Sequence, residues 1–227
     1  MKRSGWLGVA AIAFGLCGCR IGEGEGSVTG SVSIKRCLGT GEDRTDLVAP
    51  SFNLDPQFYA AEPIDDPVRV DPVDQLRIRV QHSGAQVENV DALIVDVADV
   101  DQVTAQLGQQ IPVYAAGATH PASGTEPVSP VRMTLSMLHT CAGGEKDRIA
   151  VGVVYADGDT AKGRTAWIRF TALGRNFGDR ITADFEVDLV DLRPEYLSPE
   201  YGSLATGHIS GSFDFIMRRG RSAQAFP

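Results

Sequence analysis

Lysine and aromatic side chains are scarce in this chain, with four lysines and 7% Phe, Trp and Tyr among 227 residues. Acidic groups outnumber basic ones 29 to 21, for a formal net charge of −8. The one basic cluster is Arg218, Arg219 and Arg221. Such a balance lacks the positive footprint that a phosphate backbone requires, which argues against nucleic acid as a partner. No uncharged apolar run reaches the roughly 18 to 20 residues of a membrane-spanning helix. Also missing are HExxH, GxSxG, a P-loop lysine motif and a GxGxxG between strand and helix. The four histidines, at 82, 120, 139 and 208, form no ligand pair, so no cofactor is implied and the chain reads as a non-enzyme. A hydrolase with a dispersed site stays open as the lesser alternative, because catalytic groups meet in space rather than in sequence order.

What is present begins at the N-terminus. Lys2 and Arg3 precede the apolar run Trp6 to Gly15, and the run ends in Leu16-Cys17-Gly18-Cys19. A basic start, a short apolar core and a small-residue cleavage site are the marks of a secretory signal peptide. The tetrapeptide resembles the lipobox of bacterial lipoproteins. That resemblance implies cleavage after residue 18 and acylation of Cys19. Cys17 fits less well, since Leu16 would occupy the cleavage position. By the same likeness, Arg20 in place of aspartate implies the outer membrane. Loss of Lys2 and Arg3 with the signal lowers the net charge by two from −8, so the membrane hold would come from acyl chains, at roughly 0.8 kcal/mol per buried methylene. Residues 19–27, rich in alternating Gly and Glu, read as a flexible leash of roughly 15 Å.

A single domain over 28–221 follows, with 222–227 as a tail. Removal of Cys17 and acylation of Cys19 leave Cys37 and Cys141, which in an oxidising compartment read as a disulfide, two buried thiols being the alternative. Polar and apolar residues alternate along Val28 to Lys35, Leu76 to Val80, Val131 to Met137, Arg164 to Ala172, Ile181 to Leu189 and Ile209 to Met217. That period of two marks half-buried antiparallel strands. Ala92 to Val97 is an apolar run broken by Asp96, Ile149 to Tyr155 is apolar on both faces, and Asp157-Gly158 with Gly163 reads as a hairpin turn. The fold expected is an all-β antiparallel sandwich of about eight or nine strands. One short helix is expected, capped by Asp99, with Val100, Val103 and Leu107 on one face and Gly108 as its stop. Long irregular connections fall at Pro112 to Pro130 and Arg193 to Gly207.

Two sets of side chains could bind something. Asp157 and Asp159 in one loop, and Asp96, Asp99 and Asp101 at the strand-to-helix junction, offer hard oxygen atoms to calcium. Ordinary structural roles explain them better, Asp99 as a helix cap and Asp157 as the turn residue of Asp-Gly, so no metal is expected. Trp167 falls on the polar face of its strand with Thr165, Arg169 and Thr171. There it is either covered by a loop or stacked under an arginine, or it is an exposed platform helped by Tyr196 and Tyr201. The functional expectation is a lipid-anchored envelope accessory module that binds another envelope protein or contributes structure. The alternative is a ligand-binding module for carbohydrate, such as a surface glycan, or one dependent on calcium.

Overall fold

A computed structural model describes residues 24–39, 43–64, 74–82, 90–115, 129–141, 152–192 and 206–217. The segment read above as a signal, Cys19, His120, Tyr196 and Tyr201 lie outside them. The described chain is all-β, with eleven strands and one short α-helix: β1 (Gly24–Leu38), β2 (Thr45–Asn53), β3 (Phe58–Pro63), β4 (Leu76–Gln81), β5 (Asp91–Val97), α1 (Val100–Thr104), β6 (Ile111–Pro112), β7 (Val131–Met137), β8 (Val153–Ala156), β9 (Ala166–Leu173), β10 (Arg180–Val190) and β11 (Gly207–Ile216). All pairings are antiparallel, in the order β2-β1-β11-β10-β8-β7-β5-β4-β3, with β9 also on β10 and β6 on β9.

The path is continuous, yet it folds over on itself at β10. One edge of β10 pairs with β9 from Ile181 to Val187 and with β8 only at Leu189 and Val190. The chain therefore makes two layers that share a corner. One layer holds β2, β1, β11, β10 and β9; the other holds β3, β4, β5, β7 and β8. Contacts between layers show the strands crossing rather than running alongside. Tyr59 of β3 stacks at 5.8 Å on Phe215, near the start of β1. The β8 edge meets the far end of β10. Arg175, between β9 and β10, reaches Asp74 just before β4. The Cys37–Cys141 bridge ties the far end of β1 to the far end of β7. Crossed packing with a shared corner is one of the two ways that twisted sheets stack.

Alternation explains the core. Val28, Val32 and Ile34 face inward from β1, and Ile181, Ala183, Phe185, Val187 and Leu189 from β10; Ile209, Phe213 and Phe215 do so from β11. Leu76, Ile78 and Val80 sit opposite Val97, Val95 and Leu93 in the second layer, and all six are buried. Where β1 and β11 come closest, glycine is required. A Cβ on Gly211 would stand 1.9 Å from the Ser27 carbonyl oxygen, and Gly30 adopts φ 151 with its missing Cβ 2.0 Å from the His208 carbonyl. In β9 a bulge pairs Ala172 with Thr182 but Phe170 with Ala183, so Thr171 is the extra residue and Leu173 turns inward in place of Ala172.

Several expectations need correction. Strand β1 begins at Gly24, where it pairs with Phe215, so the leash ends earlier and the domain begins earlier than the composition indicates. Asp157 to Gly163 does not close a hairpin. Strands β8 and β9 do not pair with each other, and the segment, with a 3-10 turn at Thr160–Lys162, carries the chain from one layer to the other. Helix α1 is capped by the Asp99 side chain, which accepts from the Gln102 N–H at 2.8 Å, but it ends at Thr104. Val100 and Val103 are buried while Leu107 is 39% exposed, and Gly108 closes the following turn with φ 81. His139 lies in the turn after β7.

Candidate functional site

The outward face of the first layer places side chains in register across five strands. Trp167 of β9 is level with Glu186 of β10, Ser210 of β11, Thr29 of β1 and Asn53 of β2. The next row is Arg169, Asp184, Ser212 and Ser27, and the one beyond is Thr182, Asp214 and Glu25. On the other side of Trp167 the row is Asp188, His208 and Ser31. Inward and outward positions alternate by two, so each apolar core residue brings a polar neighbour to this face. Small hydroxyl residues on β11 and β1 make a low floor beside the taller carboxylates of β10. A cleft of about 420 Å³ opens there, lined by Ser27, Thr171, Thr182, Asp184, Ser212 and Asp214.

Charges on this face are arranged in pairs. The Arg169 guanidinium donates to both oxygens of Asp184, at 2.9 and 2.8 Å, and lies 6.0 Å from the centre of the Trp167 ring. The ring is half-buried, with the arginine on it. Arg180 donates through Nε to Asp214 at 2.7 Å and through a second nitrogen to its other oxygen, while Thr182 donates to Asp214 at 3.0 Å. The Arg180 bond, followed by that from Thr182, holds the Asp214 carboxyl below the usual carboxylate range. His208 places Nδ1 2.8 Å from Asp188 and Nε2 3.5 Å from Glu186. Asp188 uses its other oxygen to accept from the Thr165 N–H at 2.6 Å.

The calcium candidates lie elsewhere and face cations. Asp157 and Arg164 form a buried ion pair at the corner between layers, and the Asp157 N–H donates to the Asp188 carbonyl at 2.9 Å. Asp159 lies 3.1 Å from Lys162 and 3.7 Å from Arg164. Asp96 is paired with Arg77 at 2.7 Å, and Asp101 is bound by Arg175. Among the described residues no group of three His, Cys, Asp or Glu side chains is placed to hold a metal ion.

Cys37 and Cys141 are joined, with Cα atoms 4.6 Å apart. Beside the bridge, Asp91 accepts from the His139 and Thr140 N–H groups at 3.0 and 3.1 Å and from the Thr140 hydroxyl at 2.5 Å. A second cleft of about 300 Å³ lies here between Leu47, Phe52, Leu54, His82, Asp91 and Met137. Its histidine is occupied, with Nδ1 2.9 Å from the Leu54 carbonyl oxygen.

Trp167 was legible in the sequence as a residue of the polar face. Glu186, Asp184, Asp188 and His208 around it were not, because their proximity depends on strand register. No known protein family, no curated protein and no solved structure matches the chain.

Proposed function

We propose that the protein is an exported lipoprotein of the bacterial outer membrane, held through acylated Cys19. It acts as a non-enzymatic module that binds a surface glycan on the outward face of β9, β10, β11 and β1. The observation that carries the binding reading is the composition of that face. Trp167 is its one aromatic residue, set among rows of serine, threonine and carboxylate groups that match the hydroxyls and apolar ring faces of a sugar. The Cys37–Cys141 bond supports export, since such crosslinks persist in oxidising compartments.

Binding of the mature protein to polysaccharide isolated from the cell envelope tests the proposal. Trp167→Ala and Glu186→Gln should each weaken binding at least tenfold while leaving the melting temperature nearly unchanged. Equal binding by both variants would remove this face as the site. Palmitate labelling tests the anchor, and incorporation should vanish in Cys19→Ala.

A further inference from the structure

The rim of the first layer from which the N-terminal segment departs carries an apolar tip. Gly24 opens β1 opposite Phe215 of β11. The turn between β9 and β10 lies on the same rim, because the Gly178 N–H donates to the Met217 carbonyl at 2.6 Å and the Met217 N–H to the Asp179 carbonyl at 2.9 Å. At that turn Phe177 is 55% exposed, and Ile216 at the end of β11 is 39% exposed. Four large apolar side chains are exposed among the described residues, and these are two of them. The exposed Arg180 and the half-exposed Arg175, which is held by Asp74 and Asp101, flank the tip, and Glu25, Asp179 and Asp214 share the rim. Asp214 is bound by Arg180, and Asp179 accepts the N–H groups of Arg175 and Asn176.

We infer that Phe177 and Ile216 dock this rim into the headgroup and acyl boundary of the phospholipid bilayer in which Cys19 is anchored; the inference rests on the lipidation proposed above. Four residues separate Cys19 from Gly24, five steps along the chain, so the anchor lies at most about 18 Å from the start of β1. Phe177 is roughly two strand spacings, about 10 Å, to the side of Gly24. The tether is therefore too short to hold this rim far from the lipid surface. An aromatic side chain flanked by arginines suits that boundary, with the ring among acyl carbons and the guanidinium groups at phosphate level. The glycan face then stands along the membrane normal, and the disulfide end points away from the lipid.

The experiment uses the full mature lipoprotein in phosphatidylcholine vesicles, with Phe177→Cys carrying an environment-sensitive fluorophore. Val48→Cys serves as the control, since Val48 is 67% exposed and pairs with Ser33, nine residues along β1 from Gly24 and about 30 Å away. The label at 177 should shift to the blue and be quenched by a nitroxide-bearing lipid, and the label at 48 should do neither. Both sites are exposed, so near-ultraviolet circular dichroism should match the parent protein. A water-like label at 177, or equal lipid quenching at both sites, with Cys19 shown by mass to be acylated, overturns the docking alone. An unmodified Cys19 overturns the lipoprotein reading and the docking with it.

Discussion

Cys37 near the end of β1 and Cys141 beyond the end of β7 are bonded across a sequence separation of 104 residues, and they join the two crossed layers at the end opposite Gly24. The layers also share the corner at β10, the packed core and the ion pair of Arg175 with Asp74. A crosslink closing a loop of this length restricts the unfolded chain by about 4 to 5 kcal/mol in the chain-entropy account, and about 2 to 4 kcal/mol is usual. Urea unfolding of the Cys37→Ala, Cys141→Ala double variant should show a loss in that range. A stability equal to that of the oxidised parent would mean that the bridge restrains nothing the core does not already hold.

The Asp157–Arg164 pair makes the opposite kind of contribution, local and dependent on both partners. Each side chain is only about 5% exposed. Removing one leaves a buried charge, at a typical cost of about 3 to 5 kcal/mol. Asp157→Ala should therefore be severely destabilised. Asp159→Ala, which loses a more exposed contact to Lys162, should cost less than about 1 kcal/mol. Because Arg164 occupies the acidic pair, added calcium should leave the thermal melting curve where it is, and a rise would restore these residues as a calcium site.

How much of this was legible depended on burial. Strands with one face in the core must alternate, and β1, β4, β7, β9, β10 and β11 all display it in the sequence. Strand β2 does not: it is an edge strand, interrupted by Pro50 and exposed along most of its length, so packing imposes no period on it. Strand β3, FYAAEP, is short and carries two aromatic residues in succession, while β6 has only two residues. Asp157-Gly158 has the composition of a hairpin turn, and nothing local distinguishes a turn within one layer from a passage between layers. For the candidate site, the sequence places Trp167 on the polar face. Its alignment with Glu186 follows from pairing between β9 and β10.

Acid should weaken the rim near the N-terminus first. Asp179 is held below the usual carboxylate range by the backbone N–H groups of Asn176 and Arg175, and Asp214 by the bonds from Arg180 and Thr182. A carboxyl whose folded pKa is depressed adds stability that is fully present above its unfolded value of about 3.9. That stability is lost as pH falls through the lower folded value. The urea midpoint should accordingly drop between about pH 5 and pH 2, and Asp214→Asn should show a smaller drop over the same window. An identical pH profile in the variant would show that the Arg180 contact is not maintained in solution.

Arg169 stands between Trp167 and Asp184, and that position makes the tryptophan a reporter for the whole face. The carboxylate fixes the guanidinium by two hydrogen bonds, and the guanidinium in turn lies 6.0 Å from the indole centre. The sequence has two tryptophans, and in the mature form proposed above, which lacks Trp6, Trp167 alone contributes to emission. A half-buried ring under an arginine should emit between the fully buried and the fully solvated limits, with partial quenching by acrylamide. Asp184→Asn weakens the hold on Arg169 and frees it to leave the ring, so emission should move to the red and quenching should increase. Arg169→Ala should go further in the same direction. Both changes remove partly exposed contacts that solvent screens, so the melting temperature should barely move. A glycan stacking on the indole must displace or share the guanidinium. Arg169→Ala should then bind it differently from the parent, whereas Asp159→Ala, in a loop away from the face, should bind it equally. Unchanged fluorescence in both Arg169→Ala and Asp184→Asn would mean that the arginine does not cover the ring in solution. Trp167 would then stand as an open platform without a gate.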